Sequence, residues 1–124
     1  MEKRALIVED SPVAQLLEKT FLENSGLTVD CADSGEMALS LVEKCHYDLI
    51  LMDLGLPGID GIETTKKIKA YEIAHNLPSV PIVAVTANAD ETNKSLCLAA
   101  GMSEMIGKPL RSEQAISLVA KYLH

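Results

Sequence analysis

Five residues able to do chemistry stand where apolar runs of the sequence stop. Glu9 and Asp10 follow Ala5–Val8, Asp53 follows Leu49–Met52, Thr86 closes Ile82–Val85, and Lys108 follows Glu104–Ile106. Three carboxylates brought within a few ångströms repel one another, and without a cation some must take up protons. A hard divalent metal removes that conflict. Magnesium prefers oxygen ligands, retains waters, and takes one or two carboxylates plus a phosphate oxygen. Asp10 and Asp53 suit direct ligation, the longer Glu9 suits a contact through water, and a backbone carbonyl at about Gly55 can add another oxygen. Such a set suits phosphoryl transfer, which needs positioning and charge neutralisation more than covalent help from the protein. A carboxylate can itself be the nucleophile, giving an acyl phosphate. Asp53 is the expected acceptor, Lys108 would neutralise a second side of the group, and Thr86 would donate to a phosphoryl oxygen. Movement of Thr86 toward that oxygen would turn a local charge event into a wider switch. Taken singly, each residue has a plainer explanation: a solvated loop, a helix cap, a β-branched strand residue, a surface lysine. Their joint position at successive strand ends is what carries the chemistry.

The elements that must hold these residues are legible in outline. Ser11-Pro12 is an N-cap followed by proline at the first helical position. Val13, Leu16, Leu17, Thr20 and Phe21 then recur at helical spacing, and Asn24-Ser25-Gly26 ends the helix. A second strand is expected at Thr28 to Ala32. Asp33 with Glu36 has the spacing of a capping box before Ala38, Leu41, Val42 and Cys45. Leu54 to Gly61 is a loop. Asp60 and Glu63 open a helix running to about Ile73, with Ile62, Thr65 and Ile68 inward. Pro81 precedes the fourth strand, a helix spans Glu91 to Ala100 with Gly101 as its C-cap, and a last helix runs from about Ser112 to Leu123 with Ala115, Ile116, Val119 and Leu123 inward. Strands apolar on both faces, alternating with helices, predict a parallel sheet covered on both sides. Right-handed crossovers and five repeats of strand and helix predict the doubly wound order 2-1-3-4-5, with the site at the strands' carboxyl ends. No linker or repeat interrupts the pattern, so residues 1–124 are expected to form one domain.

Composition narrows the partners. Hydrophobic residues make up 48% of 124, tryptophan is absent and Phe21 is the single phenylalanine, so the core must be aliphatic. A formal net charge of -7 disfavours nucleic acid, whose phosphates reward lysine and arginine, and disfavours direct contact with an anionic membrane. Cys31, Cys45 and Cys97 are odd in number and outside any C-x-x-C pattern, which suggests buried thiols in a reducing compartment. With no apolar run near the ~20 residues of a membrane span and no signal peptide after Met1, a cytoplasmic location is expected. His46, His75 and His124 lie outside the proposed cluster.

Glu9-Asp10, Met52-Asp53-Leu54, Leu56-Pro57-Gly58-Ile59-Asp60-Gly61, Thr86-Ala87 and Lys108-Pro109 together resemble the receiver domain of two-component response regulators. The likeness covers essentially the whole chain. It implies an α/β, flavodoxin-like doubly wound (βα)5 sandwich that takes a phosphoryl group from a phosphohistidine onto Asp53, with magnesium required and manganese able to substitute. It implies that Thr86, the backbone N–H of Ala87 and Lys108 bind the phosphoryl group, and that the Lys108–Pro109 peptide is cis. Pro81 to Ala89 and Ala100 to Met105 further resemble receivers attached to hybrid sensor histidine kinases, whose partners are the kinase and a histidine-phosphotransfer domain. A stand-alone response regulator is the alternative. Two departures matter. Family members commonly carry Tyr or Phe where this chain has Met105, so the switch pairing of Thr86 with Met105 lacks an aromatic, and coupling to the last two helices should be weaker or different. Gly55 and Asn88 occupy the positions that modulate hydrolysis of the phosphoryl group. A phosphorylation-independent interaction module is disfavoured by the intact five-residue set. An aspartate-nucleophile phosphatase would need an acid where Gly55 stands, and a flavodoxin would not place Glu9-Asp10 against a phosphate. Val13, Leu16, Pro57, Pro109 and Leu110 are expected to form a docking patch for a four-helix phosphodonor.

Overall fold

A computed structural model of the chain describes residues 2–123. Met1 and His124 lie outside them. Five strands, β1 (Arg4–Val8), β2 (Thr28–Ala32), β3 (Leu49–Met52), β4 (Ile82–Thr86) and β5 (Glu104–Gly107), alternate with five helices, α1 (Pro12–Asn24), α2 (Gly35–Lys44), α3 (Gly61–Ala74), α4 (Glu91–Ala100) and α5 (Ser112–Tyr122). The strands form one parallel sheet in the order β2-β1-β3-β4-β5, as the alternation predicts.

Alternate strand residues supply two apolar layers. Leu6, Val8, Ile50, Met52, Ile82 and Ala84 face α2, α3 and α4, where Ala38, Ile68 and Cys97 meet them. Ala5, Ile7, Leu49, Leu51, Val83 and Val85 face α1 and α5, with Leu22, Ala115 and Leu118. Both faces of the central strands are therefore buried, which is why their sequences show no period of two.

Most helix starts follow the expected chemistry. The Ser11 hydroxyl accepts from Ala14 N at 3.4 Å, Asp60 Oδ1 accepts from Glu63 N at 2.8 Å, and Gly101 ends α4 with a φ of 105°. The expected capping box of α2 is displaced by one residue. Ser34 is the cap, accepting from Met37 N at 3.1 Å, while Glu36 turns to the loop after β3, where its Oε2 accepts from Ile59 N at 3.5 Å. Ile116, expected inward on α5, is exposed, and Leu118 is buried in its place. On α1 the residues at helical spacing divide between two faces. Val13, Leu16, Leu17 and Thr20 face outward, whereas Ala14, Gln15, Glu18 and Leu22 face the sheet. The chain thus turns a carboxylate inward and branched apolar residues outward, against the amphipathic rule.

Candidate functional site

Strand register assembles the site. Val8 pairs with Met52 across β1 and β3, so Glu9 and Asp53 leave neighbouring strands side by side. Asp53 N donates to Val8 O at 2.9 Å and Glu9 N to Ala32 O at 2.9 Å, which extends the ladder just past the strand ends. Thr86 pairs with Gly107 across β4 and β5, and Lys108 N donates to Thr86 O at 2.8 Å. The Lys108–Pro109 peptide is cis. Gly61 lets α3 start against the acceptor: a Cβ there would lie 2.2 Å from the Asp53 carbonyl oxygen, so any side chain would push the helix off the loop. Gly58, with a φ of 73°, makes the turn that returns the loop.

Glu9, Asp10 and Asp53 each bring a carboxylate oxygen to one place, all within 4.8 Å of one another. Lys108 Nζ lies 2.5 Å from Glu9 Oε1 and 3.5 Å from Asp53 Oδ2. Four of the five expected residues therefore meet. Thr86, the fifth, is buried at the neighbouring strand end; its Oγ1 accepts from Asn88 N at 3.1 Å, which leaves the hydroxyl hydrogen to donate elsewhere. Asp53 Oδ1 accepts from Gly55 N at 3.2 Å, and open space surrounds the Gly55 Cα. Ala87 and Asn88 are exposed beside Thr86, and Met105 is half-buried against the layer on the α4 side.

Glu9 is also held by the protein itself. It is 1% exposed, its Oε2 accepts from Ser11 N at 3.0 Å, and Lys108 occupies its other oxygen. Burial pushes its carboxyl above the usual range, opposed by the Lys108 contact and the Ser11 N–H. Burial works against the Lys108 charge as well, but the Glu9 contact and the Asp53 field outweigh it and hold the ammonium above its ordinary value. Three carboxylates against one ammonium leave two formal negative charges, the charge a divalent cation cancels. Glu9, Asp10 and Asp53 thus fit a magnesium ion by donor type, spacing and charge.

Sequence reasoning missed two residues around this cluster. Gln15 Nε2 donates to Glu9 O at 2.8 Å and ties α1 to the end of β1. Glu18 lies buried on the same face of α1, one turn further on. Its only signal was a charge at helical spacing from Gln15 and Leu22, which the brighter apolar stripe concealed. The expected docking patch is partly corrected. Val13, Leu16, Pro57 and Pro109 are exposed, but Leu110 is buried against α5 and cannot contribute. Cys97 is buried, whereas Cys31 and Cys45 are only half so; all three are free. His46 and His75 stand away from the cluster, beside Asp48 and Tyr71, and His124 is outside the described residues. No helix among the described residues is long and apolar enough to cross a membrane.

The sequence model of the response regulator receiver domain matches residues 5–120. The sensor protein GacS of Pseudomonas syringae pv. syringae is 39% identical over 119 residues, covering 96% of this chain and 13% of GacS. The chain therefore spans about an eighth of that relative's length. The receiver domain of the sensor histidine kinase PA1611 from Pseudomonas aeruginosa PAO1, solved with magnesium in its active site cleft, superposes with a TM-score of 0.86 at 34% identity over 98% of both chains. The receiver domain of Saccharomyces cerevisiae Ssk1, solved in complex with the histidine phosphotransfer protein Ypd1, superposes with a TM-score of 0.91 at 27% identity, covering 98% of this chain and 88% of that one.

Proposed function

The chain belongs to the response regulator receiver domain family, and from that premise we propose that it accepts a phosphoryl group from a phosphohistidine onto Asp53, as the receiver part of a hybrid sensor histidine kinase. The observation that carries this is the meeting of Asp53 with Glu9, Asp10 and Lys108 at one edge of the sheet. In the transfer a carboxylate oxygen of Asp53 bonds to phosphorus, the phosphorus–nitrogen bond breaks, and its electron pair leaves with the imidazole. Lys108 neutralises charge on the transferring oxygens after leaving its place between Glu9 and Asp53. The Thr86 hydroxyl and the Ala87 N–H bind those oxygens from the β4 side. Asp10 and Asp53, the Gly55 carbonyl and, through water, Glu9 would hold magnesium or manganese, which supplies charge neutralisation on the opposite side.

The partners proposed are a kinase histidine and a histidine-phosphotransfer domain, in agreement with the Ypd1 complex of the Ssk1 receiver. Val13 and Leu16 on α1, 78% and 68% exposed, with Pro57 and Pro109 across the site, form the apolar rim on which a four-helix partner would dock. The location proposed for this domain is cytoplasmic. Incubation with a small phosphodonor and magnesium should add the mass of one phosphoryl group, and Asp53→Asn should add none. An unchanged mass with Asp53 intact would favour a phosphorylation-independent interaction module instead.

A further inference from the structure

Glu18 is 2% exposed, and among the described residues it is the one buried acid with neither a hydrogen bond nor an ion pair to the protein. It projects from α1 into the layer that holds Ile7, Leu51 and Phe21. That layer leads directly to the acidic site. Glu9 continues the row of Ala5 and Ile7, Asp53 the row of Leu49 and Leu51, and Lys108 the row behind Ile106, all on the side of the sheet that α1 and α5 cover. Glu18 is thus stacked behind the cluster, almost wholly covered, and subject to its field.

We propose that Glu18 is a fourth carboxyl of the site, one that carries a proton while the site is empty and releases it in part when a divalent cation enters, so that cation binding and proton release are linked. Burial is the main reason its carboxyl is pushed up to about 8, and the charges of Glu9 and Asp53 add to this while Lys108 opposes it. The other titratable neighbours are the half-buried Cys31 on β2 and, near that thiol, Lys19 and Glu23 on α1 itself. From α5 this layer receives Ala115, Leu118, Val119 and Tyr122, the last with its hydroxyl engaged by Glu104. A cation that cancels the charges of Glu9 and Asp53 removes their share of the proton's stabilisation and leaves the share due to burial. The release is therefore fractional. By reciprocity, cation affinity must rise with pH across the range in which Glu18 titrates.

The inference rests on the proposed cation site, and one experiment separates the two. Magnesium is titrated calorimetrically into the whole chain at a pH near 8, in two buffers of different ionisation enthalpy, to count protons released per ion. Glu18→Gln and Glu18→Val are measured alongside; valine serves if the amide disturbs the fold. The wild type should release a fraction of a proton that both variants lack, and its magnesium affinity should rise severalfold with pH where theirs is flatter. Any release remaining in the variants arises elsewhere than at Glu18. Equal proton counts in all three proteins would overturn the role of Glu18 and leave the cation site standing. Absence of magnesium binding by the wild type would overturn both.

Discussion

Glu9, Asp53 and Lys108 settle their charges against one another, whereas Glu18 has no partner and settles its own by keeping a proton. That choice costs stability in a definite pH window. The Glu18 carboxyl is raised from 4.5 to about 8 in the folded protein. Below 4.5 both states hold the proton and no difference arises. As pH rises from there toward 8 the unfolded chain ionises first, so the folded state loses stability by an amount on the order of a few kcal/mol. Glu18→Val removes this loss. Urea unfolding should show the variant gaining on the wild type between mildly acidic and mildly alkaline pH, and parallel pH profiles would contradict it. Lys108 and Glu9 show the opposite arrangement, a buried pair that holds both charges at the cost of occupying the lysine until a phosphoryl group competes for it.

At the scale of elements, α1 decides two things at once. Its rotation buries Glu18 beneath the site and presents Val13, Leu16 and Leu17 to solvent. Exposed branched residues contribute little to folding, so a charge at Val13 should shift stability by no more than ~0.5 kcal/mol. Val13→Glu should nevertheless slow transfer from a histidine-phosphotransfer domain severalfold while leaving phosphorylation by a small phosphodonor unchanged. Equal loss with both donors would place the effect in the site rather than in docking. The β5 to α4 side carries the other element-scale departure. Met105 packs against the layer of Ala84 and Met102, where its flexible thioether can shift without an aromatic ring's in-and-out movement. A phosphorylation-mimicking ligand should therefore displace the face of α4, β5 and α5 less than in a receiver that carries an aromatic there, as amide chemical shifts would report.

The whole molecule stores electrostatic strain at one end of its sheet. Neighbouring strands β1 and β3 deliver Glu9, Asp10 and Asp53 to one edge, and helices close both faces of the sheet behind them. A cation bound only by the folded state relieves that repulsion. Magnesium at about a hundredfold above its dissociation constant should stabilise the fold by ~2.7 kcal/mol, raising the thermal midpoint. Asp10→Asn should reduce the gain, since it removes one ligand without touching the apolar core. A midpoint insensitive to magnesium would count against the cation site.

Much of this is legible in the amino-acid sequence by itself. Apolar runs with no period of two, each stopped by a polar residue, dictate buried parallel strands, and strand ends dictate where Glu9, Asp53, Thr86 and Lys108 must gather. Local caps at Ser11, Asp60 and Gly101 follow from side-chain chemistry within one turn. What cannot be read there is which way a helix faces once packed. Ile116 promises an inner face on α5, yet it is exposed, because helix rotation is set by the summed fit of all contacts across the sheet. Only tertiary packing puts Glu18 inside, Leu110 under α5, and the Lys108 ammonium between Glu9 and Asp53, because burial and the fields of distant residues do not exist until the strands are side by side.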